Sequence, residues 1–300
     1  MTSQMTISLD LPKPLNLIDD KLFLGNIQSA TSCDILTEHK IKRVLSVIEL
    51  PIETKYPFIE YFHVIAEDVE EQDLLTHFEE TRQVIADGHR KGHNVLVHCM
   101  AGISRSSTVV TAFLMNKYGK SYSDTIDMVR TKRSQIYPNE GFRKQLKLYE
   151  EMRFTLNANY KKFRRYLMSQ LMTIENIEKY IKRRDYVESL VKVQRGQQYG
   201  CAKCQFKLFD EINVVDNEVP NKQLAKKSFA DTNQWCGNLF VEPQKWMLPL
   251  KNDRVNCPKC RQTIGSYNNS FVSYDCKCLK HNGLFGIQIK VSKDLFKLVV

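Results

Sequence analysis

The segment that most constrains the fold of this 300-residue chain is a strand followed at once by a tight loop and a helix. Asn94-Val-Leu-Val-His98 is an apolar run typical of a buried strand. A helix is predicted from Ser104 to about Tyr118, where Gly119 would end it. A loop that closes onto a helix start directs backbone N–H groups inward, and the helix dipole adds positive charge. The segment therefore predicts an anion-binding cradle.

The residues of this loop suit phosphate chemistry. The field of the cradle would favour a thiolate at Cys99, which makes this residue a candidate nucleophile. Arg105, six residues later, can bind two phosphate oxygens at once, and Gly102 allows close backbone approach. Cys99 could alternatively be a small buried residue after a strand. The whole constellation favours the nucleophile.

The first half of the chain alternates between strand and helix patterns. Strands are predicted at 21–25, 41–47, 61–65 and 94–98, and helices at 74–87, 104–118, 123–133 and 141–153. Such alternation indicates an α/β domain with a mainly parallel sheet flanked by helices. After residue 200 the pattern changes to short strands, turns and paired cysteines, which predicts a small, mainly-β domain.

The compartment decides how the nine cysteines are interpreted. Residues 1–10 lack the pattern of a signal peptide, and the longest apolar run, 109–115, is too short to span a membrane. We therefore expect a protein of the cytoplasm and nucleus without membrane contact. That environment is reducing, so nucleophiles or metal ligands are favoured over disulfides.

Seven of the nine cysteines follow residue 200, and two pairs have Cys-x-x-Cys spacing. Thiolates at this spacing can face one ion, and two such pairs complete a tetrahedron, so structural zinc is predicted. Seven cysteines and one further ligand would close two sites. The candidate ligands are Cys201, Cys204, Cys257 and Cys260 at one ion, and Cys236, Cys276, Cys278 and His281 at another. His281 could instead be an exposed loop histidine.

Charge divides the chain unevenly. Residues 1–155 carry 19 Lys and Arg against 21 Asp and Glu, residues 156–195 carry 10 against 4, and residues 196–300 carry 15 against 9. We predict a first domain over 1–155, a basic helical connector over 156–195 and a zinc domain over 196–300. The basic half would favour a polyanionic partner such as RNA, although a solvated basic surface explains the charge equally well.

The motif His-Cys-x-x-Gly-x-x-Arg-Ser after Val-Leu-Val resembles that of the dual-specificity protein phosphatases, over roughly residues 15–155, and the downstream Asn139-Glu-Gly-Phe142 fits the same family. The resemblance implies that Cys99 attacks phosphorus and forms a phosphocysteine while Arg105 stabilises the phosphoryl group. It also implies that Ser106 donates a hydrogen bond to the departing thiolate and that His98 orders the loop. It implies no cofactor for catalysis.

The same family places a general-acid aspartate about thirty residues before the cysteine. Asp68 lies at that distance, and Asp73 is the alternative, although its position before a predicted helix better suits an N-cap. The substrate-binding loop residues would be His98, Met100, Ala101, Gly102, Ile103, Ser104 and Arg105. None is lysine, whereas family members acting on inositol lipids tend to carry lysine here. Phosphoprotein substrates are therefore favoured, and the preference between phosphotyrosine and phosphoserine or phosphothreonine stays open.

The combination of this domain with Cys-x-x-Cys pairs and the segment 240–247 resembles the zinc-binding subfamily of these phosphatases. That subfamily usually carries an Ile-His segment near its C-terminus, where this chain has Ile287-Gln-Ile-Lys290. The resemblance implies a role in maturation of large ribosomal subunits. Two hypotheses follow: an active protein phosphatase, and a 60S biogenesis factor that binds a pre-ribosomal particle, RNA or protein, through its zinc-binding and basic half.

Overall fold

The computed structural model describes residues 13–170, 177–214, 238–248, 254–268, 288–292 and 296–298. The chain divides into two compact units, residues 1–156 and 157–300. The division into three domains that was predicted from charge and motifs stays a prediction. No helix within the described segments is long and apolar enough to cross a membrane.

A five-stranded sheet forms the centre of the first unit. Its strands are Leu15–Asp19 (β1), Leu22–Gly25 (β2), Ile41–Ile48 (β3), Glu60–Ile65 (β4) and Asn94–His98 (β5). The order is β1-β2-β5-β3-β4, in which β1 and β2 are antiparallel and the other three pairs are parallel. The predicted mainly parallel sheet is confirmed. The sequence patterns did not indicate β1, because its exposed and buried positions do not alternate regularly.

Six helices lie within the described residues of this unit. They are Ile27–Thr31 (α1), Cys33–Glu38 (α2), Phe78–Arg90 (α3), Arg105–Tyr118 (α4), Tyr122–Lys132 (α5) and Glu140–Glu151 (α6). α4 is buried along its first eleven residues, as expected for a helix packed at the centre of a domain. Gly119, in the left-handed conformation, ends α4 as predicted. The helix predicted over 74–87 instead begins with a 3-10 turn, Leu75–His77, before α3.

In the second unit, the part of the chain that the structure describes forms two helices and two antiparallel sheets. The helices are Lys161–Ser169 (α7) and Ile177–Ser189 (α8); the strands are Gln198–Cys201 (β6), Lys207–Asp210 (β7), Asn238–Val241 (β8), Arg254–Asn256 (β9), Thr263–Asn268 (β10), Gln288–Ser292 (β11) and Phe296–Leu298 (β12). The sheet orders are β12-β6-β7 and β8-β11-β10-β9. The prediction of a mainly-β unit is confirmed for the part that carries the cysteines.

Buried arginines join α7 and α8 to the residues after β8. Arg164 Nε donates to Glu242 Oε1 at 2.7 Å, and Arg164 Nη1 donates to Glu188 Oε1 at 3.1 Å. Arg184 Nη1 donates to the carbonyl oxygen of Pro243 at 2.8 Å. Because Arg164, Arg184 and Glu242 are all buried, each charge depends on its partner. The two helices are thus packed parts of the second unit.

Candidate active site and metal site

The loop between β5 and α4 forms a cradle around a buried thiol. Cys99 is only 1% exposed. The N–H of Gly102 lies 3.3 Å from its Sγ, and the hydroxyl of Ser106 lies 3.1 Å from the same atom. Two donors directed at one sulfur stabilise its anionic form, which is the form that acts as a nucleophile. The structure therefore brings Cys99, Gly102 and Ser106 together, as the sequence suggested.

Gly102 is required by the shape of this loop. Its φ is +69°, and a Cβ atom there would lie 2.5 Å from the carbonyl oxygen of Gly25. A side chain would thus be disfavoured both by the backbone conformation and by the end of β2. The loop packs directly against the sheet, and this packing fixes its N–H groups in place.

Arg133, at the end of α5, binds the outer side of the same loop. Its Nε donates to the carbonyl oxygen of Gly102 at 2.9 Å, and its Nη2 to that of Ala101 at 3.4 Å. Its Nη1 donates to the carbonyl oxygen of Lys13 and to Asn16 Oδ1. Carbonyl groups held outward leave the N–H groups facing inward. Arg133 carried no recognisable signal in the sequence, because its partners come from distant segments.

His98 is a buried, neutral residue at the end of β5. Burial lowers its pKa to about 4. Its Nδ1 lies 3.2 Å from the carbonyl oxygen of Cys99, which can only accept, so Nδ1 carries the proton. Its Nε2, 2.7 Å from Ser46 Oγ, then accepts from that hydroxyl. This geometry agrees with the predicted ordering of the loop and adds Ser46, which the sequence did not reveal.

Arg105, the first residue of α4, is held at the cradle by partners on two other segments. Its Nη1 lies 2.7 Å from Glu49 Oε1 and donates to the carbonyl oxygen of Ala66 at 3.1 Å. Its Nε is buried and has no hydrogen-bond partner among the described residues. A planar guanidinium with a donor still available can bind a tetrahedral anion. Glu49 follows β3 and carried no recognisable signal in the sequence.

The structure separates the two candidate general acids. Asp68 Oδ1 accepts from Ser104 Oγ at 2.6 Å and from Asn139 Nδ2 at 3.0 Å, and Asp68 Oδ2 lies 3.7 Å from Arg105 Nε. Asp73 instead accepts from the N–H of Thr76 at 3.1 Å. Asp73 therefore caps the 3-10 turn, whereas Asp68 lies beside the arginine of the cradle.

Three exposed side chains beside the cradle are apolar or aromatic, and the loop itself carries no lysine. Met100 and Ile103 belong to the loop and are exposed, and Tyr137 is more than half exposed. The N–H of Tyr137 donates to the carbonyl oxygen of Ile103 at 2.9 Å. The backbone segments that carry the exposed side chains of Tyr137 and Ile103 therefore lie next to each other. The remaining predicted loop residue, Ala101, points its carbonyl group toward Arg133.

The metal-binding prediction concerns the second unit. The Sγ atoms of Cys201, Cys204, Cys257 and Cys260 all lie within 4.8 Å of one another. Tetrahedral zinc takes four thiolates at about 2.3 Å, and two Cys-x-x-Cys pairs supply that donor set. These four residues therefore form a site that fits a metal ion. The other predicted ligands, Cys236, Cys276, Cys278 and His281, lie outside the described residues.

The two cysteine pairs have matching backbone geometry. Cys201 N donates to the carbonyl oxygen of Phe206 at 2.9 Å, and Cys257 N donates to that of Gln262 at 2.8 Å. The residue after each pair, Gln205 or Arg261, has a φ near +60°. A tight turn of this kind leaves both thiols of a pair on the same side, so that each turn presents two ligands.

Together, a buried thiol with two donors, an arginine fork and a nearby carboxyl group are the parts needed for phosphoryl transfer to sulfur. Known proteins with similar sequences are named as phosphatases. The family model described as "Dual specificity phosphatase, catalytic domain" matches residues 22–152. The dual specificity protein phosphatase 12 of Mus musculus is 30% identical over 277 residues, which cover 86% of this chain and 81% of the mouse protein.

A second relative, the tyrosine-protein phosphatase yvh1 of Schizosaccharomyces pombe, is 29% identical over 272 residues, which cover 89% of this chain and 80% of that protein. The crystal structure of the Yvh1 phosphatase domain from Chaetomium thermophilum is 32% identical and covers 46% of this chain and 96% of that chain, with a TM-score of 0.44. Both full-length matches extend beyond residues 22–152. The resemblance inferred from the sequence is confirmed: the chain belongs to the dual-specificity phosphatase family, among the Yvh1-type members with a C-terminal cysteine-rich region, and is a protein-tyrosine/dual-specificity phosphatase.

Proposed function

We propose that this enzyme hydrolyses phosphoserine, phosphothreonine and phosphotyrosine in proteins through a phosphocysteine. The observation that carries this proposal is the pair of donors, Gly102 N and Ser106 Oγ, directed at Cys99 Sγ. In the first step the thiolate attacks phosphorus, the S–P bond forms and the P–O ester bond breaks. The ester oxygen takes a proton from the carboxyl group of Asp68, and Arg105 stabilises the transferring phosphoryl group.

The second step regenerates the enzyme. A water molecule attacks phosphorus and gives its proton to the Asp68 carboxylate, while the S–P bond breaks and inorganic phosphate leaves. The electron pair returns to the sulfur of Cys99, where Ser106 donates a hydrogen bond to the thiolate. The thiolate of Cys99 and the protonated carboxyl group of Asp68 are thereby regenerated, and the step requires no metal or other cofactor.

The substrate class follows from the surroundings of the cradle. Met100 and Ile103 present uncharged, exposed side chains, and no loop residue could neutralise a second phosphate as lysine would. A phosphorylated side chain on a protein needs only the cradle itself. Phosphoprotein substrates are therefore favoured over polyphosphorylated lipids.

The phosphatase proposal is tested on an aryl phosphate and on phosphopeptides. Cys99→Ser is expected to abolish hydrolysis, because the hydroxyl group is a far weaker nucleophile at neutral pH than a thiolate. Asp68→Ala should slow hydrolysis of phenyl phosphate far more than that of 4-nitrophenyl phosphate, whose leaving group needs little protonation. Unchanged turnover in Cys99→Ser would overturn the proposed nucleophile, and equal slowing of both substrates would overturn the proposed acid.

We further propose that the four clustered cysteines bind zinc and that Cys236, Cys276, Cys278 and His281 hold a second ion. The support is the donor set, four thiolates in two Cys-x-x-Cys turns. Bound zinc would cross-link β6–β7 to β9–β10 and so supply folding energy to the second unit. It would have no part in hydrolysis.

A second role, in 60S biogenesis at a pre-ribosomal particle of the nucleus and cytoplasm, is supported by one surface. α8 exposes Lys179 and Lys182 and turns Arg183 and Tyr186 in the same direction, at spacings of three and four residues. Glu178 lies on the same surface, so three basic residues face one acidic residue there. Such a net-basic stripe with an aromatic ring suits RNA, because phosphates and bases can both be contacted. This surface lies in the segment with 10 basic against 4 acidic residues.

The role in assembly is tested by complementation. In cells lacking the protein, Cys99→Ser should restore normal 60S levels, whereas the double variant Lys179→Glu and Lys182→Glu should not. The measurement is a sucrose-gradient profile of ribosomal subunits. If only Cys99→Ser fails to restore 60S subunits, binding through α8 is not the basis of the role.

A further inference from the structure

The sequence motif Asn139-Glu-Gly-Phe142 has no part in the chemistry described above, yet it lies against the segment that carries Asp68. That segment, residues 66–74, is called here the Asp68 loop. Asn139 is the N-cap of α6: its Oδ1 accepts from the N–H of Phe142 at 2.9 Å. Its Nδ2 donates to Asp68 Oδ1 at 3.0 Å. One amide group therefore fixes the start of a helix and the carboxyl group beside the cradle.

Asn139 belongs to a closed ring of hydrogen bonds. The N–H of Asn139 donates to Ser104 Oγ at 3.2 Å, and the hydroxyl of Ser104 donates to Asp68 Oδ1 at 2.6 Å. Ser104 is the N-cap residue of α4, but its side chain does not cap that helix. The hydroxyl of Ser104 instead donates to Asp68, and this hydrogen bond links the phosphate loop to the Asp68 loop.

Two further residues of α6 contact the Asp68 loop. A Cβ atom on Gly141 would lie 1.9 Å from the carbonyl oxygen of Glu70, so only glycine permits this approach. Gln145, which is buried, donates from Nε2 to the carbonyl oxygen of Gln72 at 2.7 Å. Its Oε1 accepts from the N–H of Leu74 at 2.8 Å. The Asp68 loop is thus held by α6 near its beginning, middle and end.

We propose that α6 holds the Asp68 loop in the proton-donating position, and that Asn139 is a positioning residue for the general acid. The inference rests on the proposed function, because it concerns the acid of that same reaction. It also assigns the oxygen that gives the proton. Oδ1 of Asp68 accepts two hydrogen bonds, so Oδ2, the oxygen 3.7 Å from Arg105 Nε, is the one assigned to give the proton to the leaving group.

Asn139→Ser in the full chain separates the capping of α6 by Asn139 from its hydrogen bond to Asp68. Serine still provides an oxygen that can cap α6, but it lacks the amide donor to Asp68. We expect kcat on phenyl phosphate to fall about tenfold, with kcat on 4-nitrophenyl phosphate and both KM values within about twofold of wild type. Lys147→Ala, an exposed position on the same helix, is the matched control and should leave all four constants unchanged.

A double-mutant cycle identifies the route of the effect. If Asn139 acts through Asp68, Asn139→Ser has no further effect in the Asp68→Ala background. The inference is overturned if Asn139→Ser slows both substrates equally, or if it lowers kcat by the same factor in both backgrounds. If Asp68→Ala leaves kcat on phenyl phosphate unchanged, Asp68 is not the general acid. If Asp68→Ala lowers this kcat and Asn139→Ser does not, Asp68 remains the acid and only the positioning role of α6 is overturned.

Gly141→Ala provides a second route to the same test should the first variant unfold. The added methyl group would push the backbone of Glu70 away from α6 without changing any polar side chain. The same selective loss with phenyl phosphate is expected, and thermal unfolding midpoints recorded for each variant verify folding. An unchanged ratio between the two substrates would contradict the inference.

Discussion

Glu49 Oε1 lies 2.7 Å from Nη1 of Arg105, so that a carboxylate from the end of β3 fixes the arginine of the phosphate cradle. Burial opposes the charge of Glu49, but its own backbone N–H and Arg105 outweigh burial and lower its pKa. Glu49 is therefore ionised at neutral pH. It occupies one end of the guanidinium and leaves the buried Nε, which has no partner among the described residues, for the substrate.

We expect Glu49→Ala to lower kcat/KM by about tenfold, because an arginine that is free to rotate loses its alignment with the transferring phosphoryl group. The measurement is steady-state hydrolysis of 4-nitrophenyl phosphate. Glu53→Ala removes an exposed carboxylate a few residues away and should have no effect. Equal losses in the two variants would point to general electrostatics in place of alignment.

His98 should make stability depend on pH. Its pKa falls from the ordinary 6.5 to about 4 on folding, so between these values the unfolded chain binds a proton that the native protein does not. The contribution of neutral His98 to the free energy of unfolding is fully present above pH 6.5 and is lost as the pH falls to about 4. The loss in the free energy of unfolding is about 3 kcal/mol in total. Urea unfolding followed by circular dichroism should show this slope in the wild type and a weaker one in His98→Gln. Identical slopes would contradict the prediction.

The buried pair of Arg164 and Glu242 should be needed for the second unit. Burial lowers the pKa of Arg164 while Glu242 raises it more, so the arginine stays charged inside the protein. Glu242→Gln removes the most buried carboxylate of Arg164 and leaves Glu188 as its charged partner, and we expect it to destabilise the second unit by up to about 3 kcal/mol. Both tryptophans, Trp235 and Trp246, belong to this unit, so fluorescence reports its unfolding selectively. A change below 1 kcal/mol would show that the pair is dispensable.

Metal analysis tests the cysteine cluster. The wild type should contain about two zinc ions per chain, and Cys257→Ser should contain about one fewer, because three thiolates remain at the described site. Cys33→Ser, which alters an exposed cysteine of the first unit, is the control and should keep the full content. Zinc near zero in the wild type would remove the basis for both sites. Hydrolysis of 4-nitrophenyl phosphate should persist in Cys257→Ser.

Local sequence sufficed for the phosphate loop because all of its parts are contiguous. The strand, Gly102 and the helix that starts near Arg105 lie within a few residues, and periodicity reveals each of them. The partners of that loop come from elsewhere: Glu49 is 56 residues before Arg105, and Asn16 is 117 residues before Arg133. These contacts depend on the strand order β1-β2-β5-β3-β4, which hydrophobic patterns do not encode.

The Asp68 loop shows a similar limit. The spacing to Cys99 favoured Asp68 as the acid, and the position before a predicted helix favoured Asp73 as a cap. In the structure Asp68 accepts from Ser104 and Asp73 accepts from the N–H of Thr76, and the choice of the acid stays a prediction. Gln145, however, also binds the N–H groups of Leu74 and Leu75, and the chain there forms a 3-10 turn before α3 begins. A tertiary contact thus displaced a helix start that local periodicity had placed earlier.

The ion pair between Arg164 and Glu242 joins residues 78 positions apart. This separation limits where the chain can be truncated to give a fragment that folds. A fragment ending at residue 195 would keep Arg164 and Arg184 but lack their partners at Glu242 and Pro243, and would expose the buried surface around these arginines, with Glu188 left to pair with both. Such a fragment is expected to aggregate. A cut between Leu156 and Asn157 spares every buried ion pair of this network. The phosphatase unit should therefore be expressed alone as residues 1–156.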